Sequence, residues 1–223
     1  GIPIHMDATC SGLQHLSALL RDPVGGLYVN LLDPQKCGPK QDIYTRVAAN
    51  TLQVIQRDTE SADPEVAALA AWCCKVGIPR ALAKKPVMTY VYGATLRGTA
   101  EHLETVLGKE VLPAAGEKWL DDTKTYMHCM YIAKKLFQGI AAAVPAAASA
   151  MHWLKEIARQ QPAGQRMSWH TPTGFWVQHD YQDFTDTKVK LNSCGIQYTL
   201  VREWQDGTRA HAMVNAISPN FVH

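Results

Sequence analysis

The sequence predicts an α/β protein in which one short strand enters a long run of helices and a β-hairpin closes the chain. Three observations carry this. Ile2-Pro3-Ile4-His5-Met6 reads as a strand running into Asp7, and Leu13, Leu16, Leu19 and Leu20 then fall at helical spacing between Ser11 and Leu20. From Gln41 to Arg159 apolar residues recur at helical spacing in successive segments. After Pro162-Ala163-Gly164 the pattern turns strand-like.

Taken in order, Pro23-Val24-Gly25-Gly26 breaks the first helix, and Asp33-Pro34 with Cys37-Gly38-Pro39 forms a second loop. Ile43, Val47, Leu52 and Ile55 give a helix over Gln41 to Arg57 one buried face. Asp63-Pro64 supplies a cap and a first-turn proline for a helix through Trp72. Pro79 opens another that runs to about Tyr92 and is closed by Gly93, and helices follow at 96–106, 114–137 and 141–159. The alanine-rich stretch 141–150 suits close helix packing. Thr171-Pro172-Thr173-Gly174 reads as a turn, and Gln205-Asp206-Gly207, between strand-like 196–204 and 208–214, reads as the tip of a hairpin.

Composition sets bounds. With 223 residues and 47% hydrophobic content the chain can fill a core of its own, and a formal charge of +2 does not by itself announce a nucleic-acid partner. The six cysteines have no Cys-x-x-Cys pair, so neither a disulfide framework nor a zinc site is expected, and a reducing compartment is. The longest apolar stretch, 139–148, is interrupted by Pro145 and falls short of the roughly 20 residues of a membrane span, so no membrane partner is expected. The absence of a start methionine and the close on Val222-His223 suggest a piece of a longer protein.

Two clusters carry chemistry. In the first, Asp7 ends a strand and is followed by the small residues Ala8-Thr9-Cys10-Ser11-Gly12. A carboxylate so placed can project into a cleft and share a magnesium ion with substrate phosphates; an aspartate ahead of a helix is also the commonest kind of cap. In the second, Arg80 and Lys84 lie four apart and share a helical face, and from Lys75 to Arg97 inclusive there are five basic residues and no acid. Such a face, ending in Tyr92-Gly93, can clamp a triphosphate and stack a base; it can also be a solvated basic helix.

Asp7-x-x-Cys10-Ser11-Gly12-x-Gln14-His15, then Arg80-x-x-x-Lys84, then Val87-Met88-Thr89-x-x-Tyr92-Gly93, resembles the single-subunit DNA-directed RNA polymerases of bacteriophages and mitochondria. Leu19-Leu20-Arg21-Asp22 with Val24-Gly25-Gly26, Gln41-Asp42-Ile43-Tyr44, Met151-His152-Trp153-Leu154-Lys155 and Pro219-Asn220-Phe221-Val222-His223 agree in the same order. The resemblance implies part of the palm of a right-hand polymerase over 1–23 and mostly helical fingers over 24–223, with a nucleotide-binding helix at 77–93 and a promoter-specificity hairpin at 183–215.

It further implies that Asp7, with the Ala8 carbonyl, holds two Mg2+ ions in the complete enzyme, and that Arg80 and the catalytic Lys84 contact the incoming triphosphate. Tyr92 and His223 would sense the ribose 2′-hydroxyl, Tyr44 would lie nearby, and Lys85, Lys188, Lys190 and Tyr198 would meet nucleic acid. The partners implied are a double-stranded DNA promoter and template, ribonucleoside triphosphates and the RNA product. The enzyme would be a monomer acting in the cytoplasm of an infected bacterium, a mitochondrial origin being the second choice.

Two departures from the family pattern are Ala8, where many members have glycine, and Pro86, which should kink the fingers helix. Repair-type, family A DNA polymerases share the plan but carry a glutamate five positions after the metal-binding aspartate. Here that position is Gly12, which leaves the pocket open to ribonucleotides. The family's second aspartate, in a His-Asp-Ser turn, does not occur before His223, so the 223 residues alone are expected not to polymerise, and a catalytically dead nucleic-acid-binding remnant remains an alternative. A metal hydrolase built on His5 and Asp7 lacks further clustered ligands.

Overall fold

Aspartate-proline pairs open three helices of the chain. In each the aspartate Oδ1 accepts from the backbone N–H two residues on: Asp22 from Val24, Asp33 from Gln35 and Asp63 from Glu65, all at 2.9 Å. The helices are α2 (Pro23–Tyr28), α3 (Pro34–Cys37) and α5 (Pro64–Val76). The first two correct the sequence expectation of plain loops, because a capped aspartate with proline at the first helical position starts a helix even in a glycine-rich segment. α1 (Ser11–Leu19) precedes them, and Asp42 caps α4 (Ile43–Asp58) in the same way.

The computed structural model describes residues 3–4, 8–117, 122–161, 167–171, 173–179, 182–190 and 197–208. The expected strand 2–6, Asp7 and His223 are not among them, apart from Pro3 and Ile4, which are not in a strand. The chain divides into two units, Gly1–Met151 and His152–Phe221. Among the described residues no single helix is long and apolar enough to cross a membrane.

The first unit is helical. α6 (Arg80–Tyr90) runs unbroken through Pro86 and ends where Ala94 N–H reaches back to the Thr89 carbonyl, at 3.2 Å. α7 (Leu96–Val106) passes through a π-helical turn (Leu107–Val111) into the short α8 (Leu112–Ala115). The sequence pattern joined 114–137 into one helix. Instead Gly116, in the left-handed region at φ +68°, stops α8, and α9 spans Asp122–Ala143. The pattern also joined 141–159, but Pro145 lacks the N–H that would continue α9 and starts α10 (Pro145–Gln160).

α9 is the central post, packed by α4, α5, α6 and α7. Ile43, Val47, Ile55, Leu82, Val87, Leu103, Ile132, Leu136 and Ile140 are excluded from water, each burial contributing about 1.5–3 kcal/mol. α4 and α9 approach closely at Gly139, where a Cβ would overlap Thr51 Oγ1 and stand 3.2 Å from the Val47 carbonyl. Thr51 turns its hydroxyl onto that same carbonyl at 2.7 Å, so it presents no unsatisfied donor. At the far end of α4, Asp58 accepts from Tyr131 at 2.7 Å and pairs with Lys135 at 2.5 Å, both from α9. Burial alone would raise the Asp58 pKa; the Lys135 and Tyr131 bonds outweigh it and hold the carboxyl below its ordinary value.

α1 and α2 meet at Gly25, where a Cβ would lie 2.6 Å from Ser17 Oγ and 2.7 Å from Asp22 Oδ2. Both oxygens are buried without a hydrogen-bond partner. Glycine to alanine in a helix normally stabilises by up to about 1 kcal/mol. Gly25→Ala should do the reverse, by about 1–3 kcal/mol, because its methyl overpacks two polar atoms. A urea midpoint that rises instead would contradict this packing.

In the second unit Leu154 and Ala158 of α10 pack with Met167 and Trp169. β1 (Met167–His170) and β2 (Trp176–His179) pair antiparallel about the expected turn, with Gly174 N–H on the Thr171 carbonyl at 2.8 Å. β3 (Gln182–Lys190) pairs antiparallel with β4 (Gln197–Thr208). This moves the expected hairpin tip. Gln182 pairs with Thr208 and Phe184 with Trp204, so Gln205-Asp206-Gly207 bulge opposite Asp183 within the ladder. The helices and strands are thus segregated along the chain, and no parallel sheet occurs among the described residues.

Candidate active site

A cleft of about 530 Å³ opens in the first unit where the start of α1, the segment leading into α4 and one face of α6 meet. Helical spacing builds the α6 wall. Leu82, Ala83, Pro86 and Val87 are buried, so Arg80, Lys84 and Met88, four apart in turn, line the cleft. Tyr92 stands just past the helix end on the same side. Of the residues singled out from sequence, Ala8, Gly12, Tyr44, Arg80, Lys84 and Tyr92 all line this one cleft.

Gly12 has a reason beyond the one read from sequence. A Cβ there would overlap Val91 Cγ2 and stand 3.1 Å from the Tyr92 hydroxyl, so the space beside Gly12 is already occupied by the end of α6. Its lack of a side chain lets α1 seat Val91 and Tyr92. Cys10, just before it, is held in the left-handed region at φ 54°, where a non-glycine residue costs about 1–3 kcal/mol. Its thiol faces the Val87 carbonyl at 3.9 Å, and burial pushes its pKa up to about 11 against a smaller lowering by the Leu13 backbone. Neither nucleophile nor metal ligand is to be expected from a thiol so held.

The α4 wall is fixed from α2 onward. Asn30, itself left-handed at φ 58°, donates to the Gln41 carbonyl at 2.9 Å and accepts from the Gln41 N–H at 2.7 Å. Next to this clamp, Asp42 Oδ2 takes Arg80 Nε at 2.6 Å, and the Arg80 guanidinium lies 4.9 Å from the centre of the buried Tyr44 ring. Desolvation alone would raise the Asp42 pKa, but bonds from Arg80, Thr45 and the Tyr44 backbone hold it below its ordinary value. Asp42, Asn30, Lys40 and Met88 were not singled out from sequence. For Asp42 a signal existed, its place as cap beside Tyr44 in the Gln-Asp-Ile-Tyr stretch.

Lys85 is not in the cleft. One residue on from Lys84 it turns toward α7, its Nζ 3.3 Å from His102 Nδ1, and burial followed by Lys85 lowers the His102 pKa. In β3 and β4, Lys188 is paired with Thr199, Lys190 with Gln197 and Tyr198 with Val189. Asp7 and His223 lie outside the described residues. Among the described residues no three His, Cys, Asp or Glu side chains gather as a metal cluster.

An open cleft with two cations on one helical face and an aromatic at its end has the chemistry to accept a phosphorylated, base-bearing ligand. The family model for DNA-dependent RNA polymerases matches residues 1–223, and the chain belongs to that family. It is 38% identical over 225 residues to the DNA-directed RNA polymerase of Pseudomonas phage phiKMV, a match covering 100% of this chain and 27% of that protein. T7 RNA polymerase of Escherichia phage T7 is 32% identical over 259 residues, covering 100% of this chain and 29% of the relative. The mitochondrial DNA-directed RNA polymerase 1 of Arabidopsis thaliana is also 32% identical, with 100% and 22% covered. The chain therefore spans less than a third of the length of these relatives.

Proposed function

We propose that this chain is the central catalytic segment of a single-subunit, DNA-directed RNA polymerase, and that its cleft receives the incoming ribonucleoside triphosphate. The observation that carries the reading is the convergence of Ala8, Gly12, Tyr44, Arg80, Lys84 and Tyr92, from α1, α4 and α6, on one cleft. The phage relatives favour transcription in an infected bacterium, although a plant mitochondrial enzyme is also similar. On this reading 1–23 belongs to the palm and 24–223 to the fingers.

The cleft suits a hard cation shared with substrate. Ala8, which follows Asp7 in the chain, lines it, the nearby thiol is buried and neutral, and two cations stand ready for phosphate. Asp7 and the Ala8 carbonyl would hold Mg2+, which supplies activation of the primer 3′-hydroxyl and stabilisation of the departing pyrophosphate. Arg80 and Lys84 neutralise the triphosphate as charge shifts toward its leaving oxygens. Tyr92, seated on Gly12, closes the sugar side of the pocket. The ribbon of β3 and β4, with Lys188, Lys190 and Tyr198, reads promoter DNA.

Tyr92→Phe tests the assignment in the complete polymerase. It keeps the ring that packs on Gly12 and removes one hydroxyl, so discrimination against deoxynucleoside triphosphates should fall by about tenfold or more with folding intact. An unchanged ratio of ribo- to deoxynucleotide incorporation would overturn the pocket assignment.

A further inference from the structure

We infer that Asp42 is a positioning residue that presents the Arg80 guanidinium to the triphosphate; the inference rests on the nucleotide reading of the cleft. The two residues are 38 apart in sequence, and their contact is short, 2.6 Å from Nε to Oδ2. Asp42 divides its carboxylate between two tasks. Oδ1 accepts the Tyr44 N–H at 3.0 Å and caps α4, while Oδ2 accepts Thr45 Oγ1 at 2.9 Å and Arg80 Nε.

Which nitrogen Asp42 takes decides the consequence. Nε is the inner donor of the guanidinium, so a partner there leaves both Nη groups, with four N–H bonds, to grip two oxygens of a phosphate. Tyr44 acts on another side of the same group, its buried ring 4.9 Å from Cζ. Edge and face are both restrained. An arginine held in this way gives up little further rotamer freedom when the triphosphate arrives, which is how preorganisation raises affinity.

A purely structural role fits poorly. The Arg80 and Asp42 side chains are 50% and 38% exposed, and exposed ion pairs add little to stability. The cap does not need the charge either, because asparagine caps a helix about as well as aspartate. Asp42→Asn therefore separates the two tasks.

The test uses the complete polymerase with ATP as the varied nucleotide. Asp42→Asn should raise KM for ATP about tenfold, with a smaller change in kcat and an unmoved thermal midpoint. In the Arg80→Ala background the same substitution should change KM less than twofold, because its effect acts through the absent guanidinium. An unchanged or lowered KM in Asp42→Asn, alongside a raised KM in Arg80→Ala, would overturn the positioning role and leave the nucleotide reading standing; so would full additivity of the two substitutions. An unchanged KM in both single variants would overturn the nucleotide reading, and the inference with it.

Discussion

Asp7→Asn in the complete polymerase is expected to slow nucleotide addition by about a thousandfold or more. The substitution keeps the size and shape of the side chain and deletes the charge with which Asp7 would help to hold Mg2+. Affinity for DNA should change little, because duplex binding draws on contacts between cations and phosphates that this residue does not make. Single-turnover primer extension, paired with DNA binding at one fixed salt concentration, separates the two. Addition within tenfold of the parent rate would remove Asp7 from the metal site.

Lys84→Ala should have the next largest effect, a loss of about a hundredfold to a thousandfold in kcat with template binding intact. Lys84 is one turn beyond Arg80 on the cleft face of α6, and it is exposed, whereas the adjacent Lys85 faces α7 and His102. Lys85→Ala is therefore the internal control on the same helix. It removes an equal charge one residue away from a position outside the cleft and should leave kcat within a few-fold of the parent. Equal losses from the two substitutions would mean that α6 contributes diffuse charge only. The contrast with Asp42→Asn is also informative: a group acting on the charge of the transition state shows in kcat, one that prepares the binding site in KM.

The cleft was legible in the sequence where its residues lie on one element or in a contiguous motif. Arg80 and Lys84 are four apart, so helical periodicity alone puts them on one face, and the packing of Leu82 and Val87 turns that face outward. Asp42 escaped notice because its partner is 38 residues away, and no local pattern reports a contact between the start of α4 and the start of α6. In the sequence Gly12 looks like an empty place for a sugar hydroxyl. The side chains of Val91 and Tyr92 that fill the space arrive from a helix nearly 80 residues on.

Errors in the fold have a common origin in residues whose chemistry serves two purposes. Asp22-Pro23 and Asp33-Pro34 suit a turn as well as a capped helix start, and flanking glycine tipped the reading toward loops. Gln205-Asp206-Gly207 has the composition of a hairpin tip, but glycine in a strand also marks a bulge, and the pairing of Gln182 with Thr208 selects the bulge. In 141–150 the alanines carry the helix pattern past Pro145, and Ala143 and Ala147 on either side of it are buried in the core.

The Asn30–Gln41 clamp has a consequence for how this family can diverge. Two hydrogen bonds tie residue 30 to residue 41, so the intervening chain leaves and returns at one fixed base. Asp42 is placed from that base, independently of what lies between. Lengthening or shortening such a closed excursion changes its closure entropy only slowly. Insertions or deletions placed between Leu31 and Pro39 should therefore leave the register of Asp42 against Arg80 unchanged.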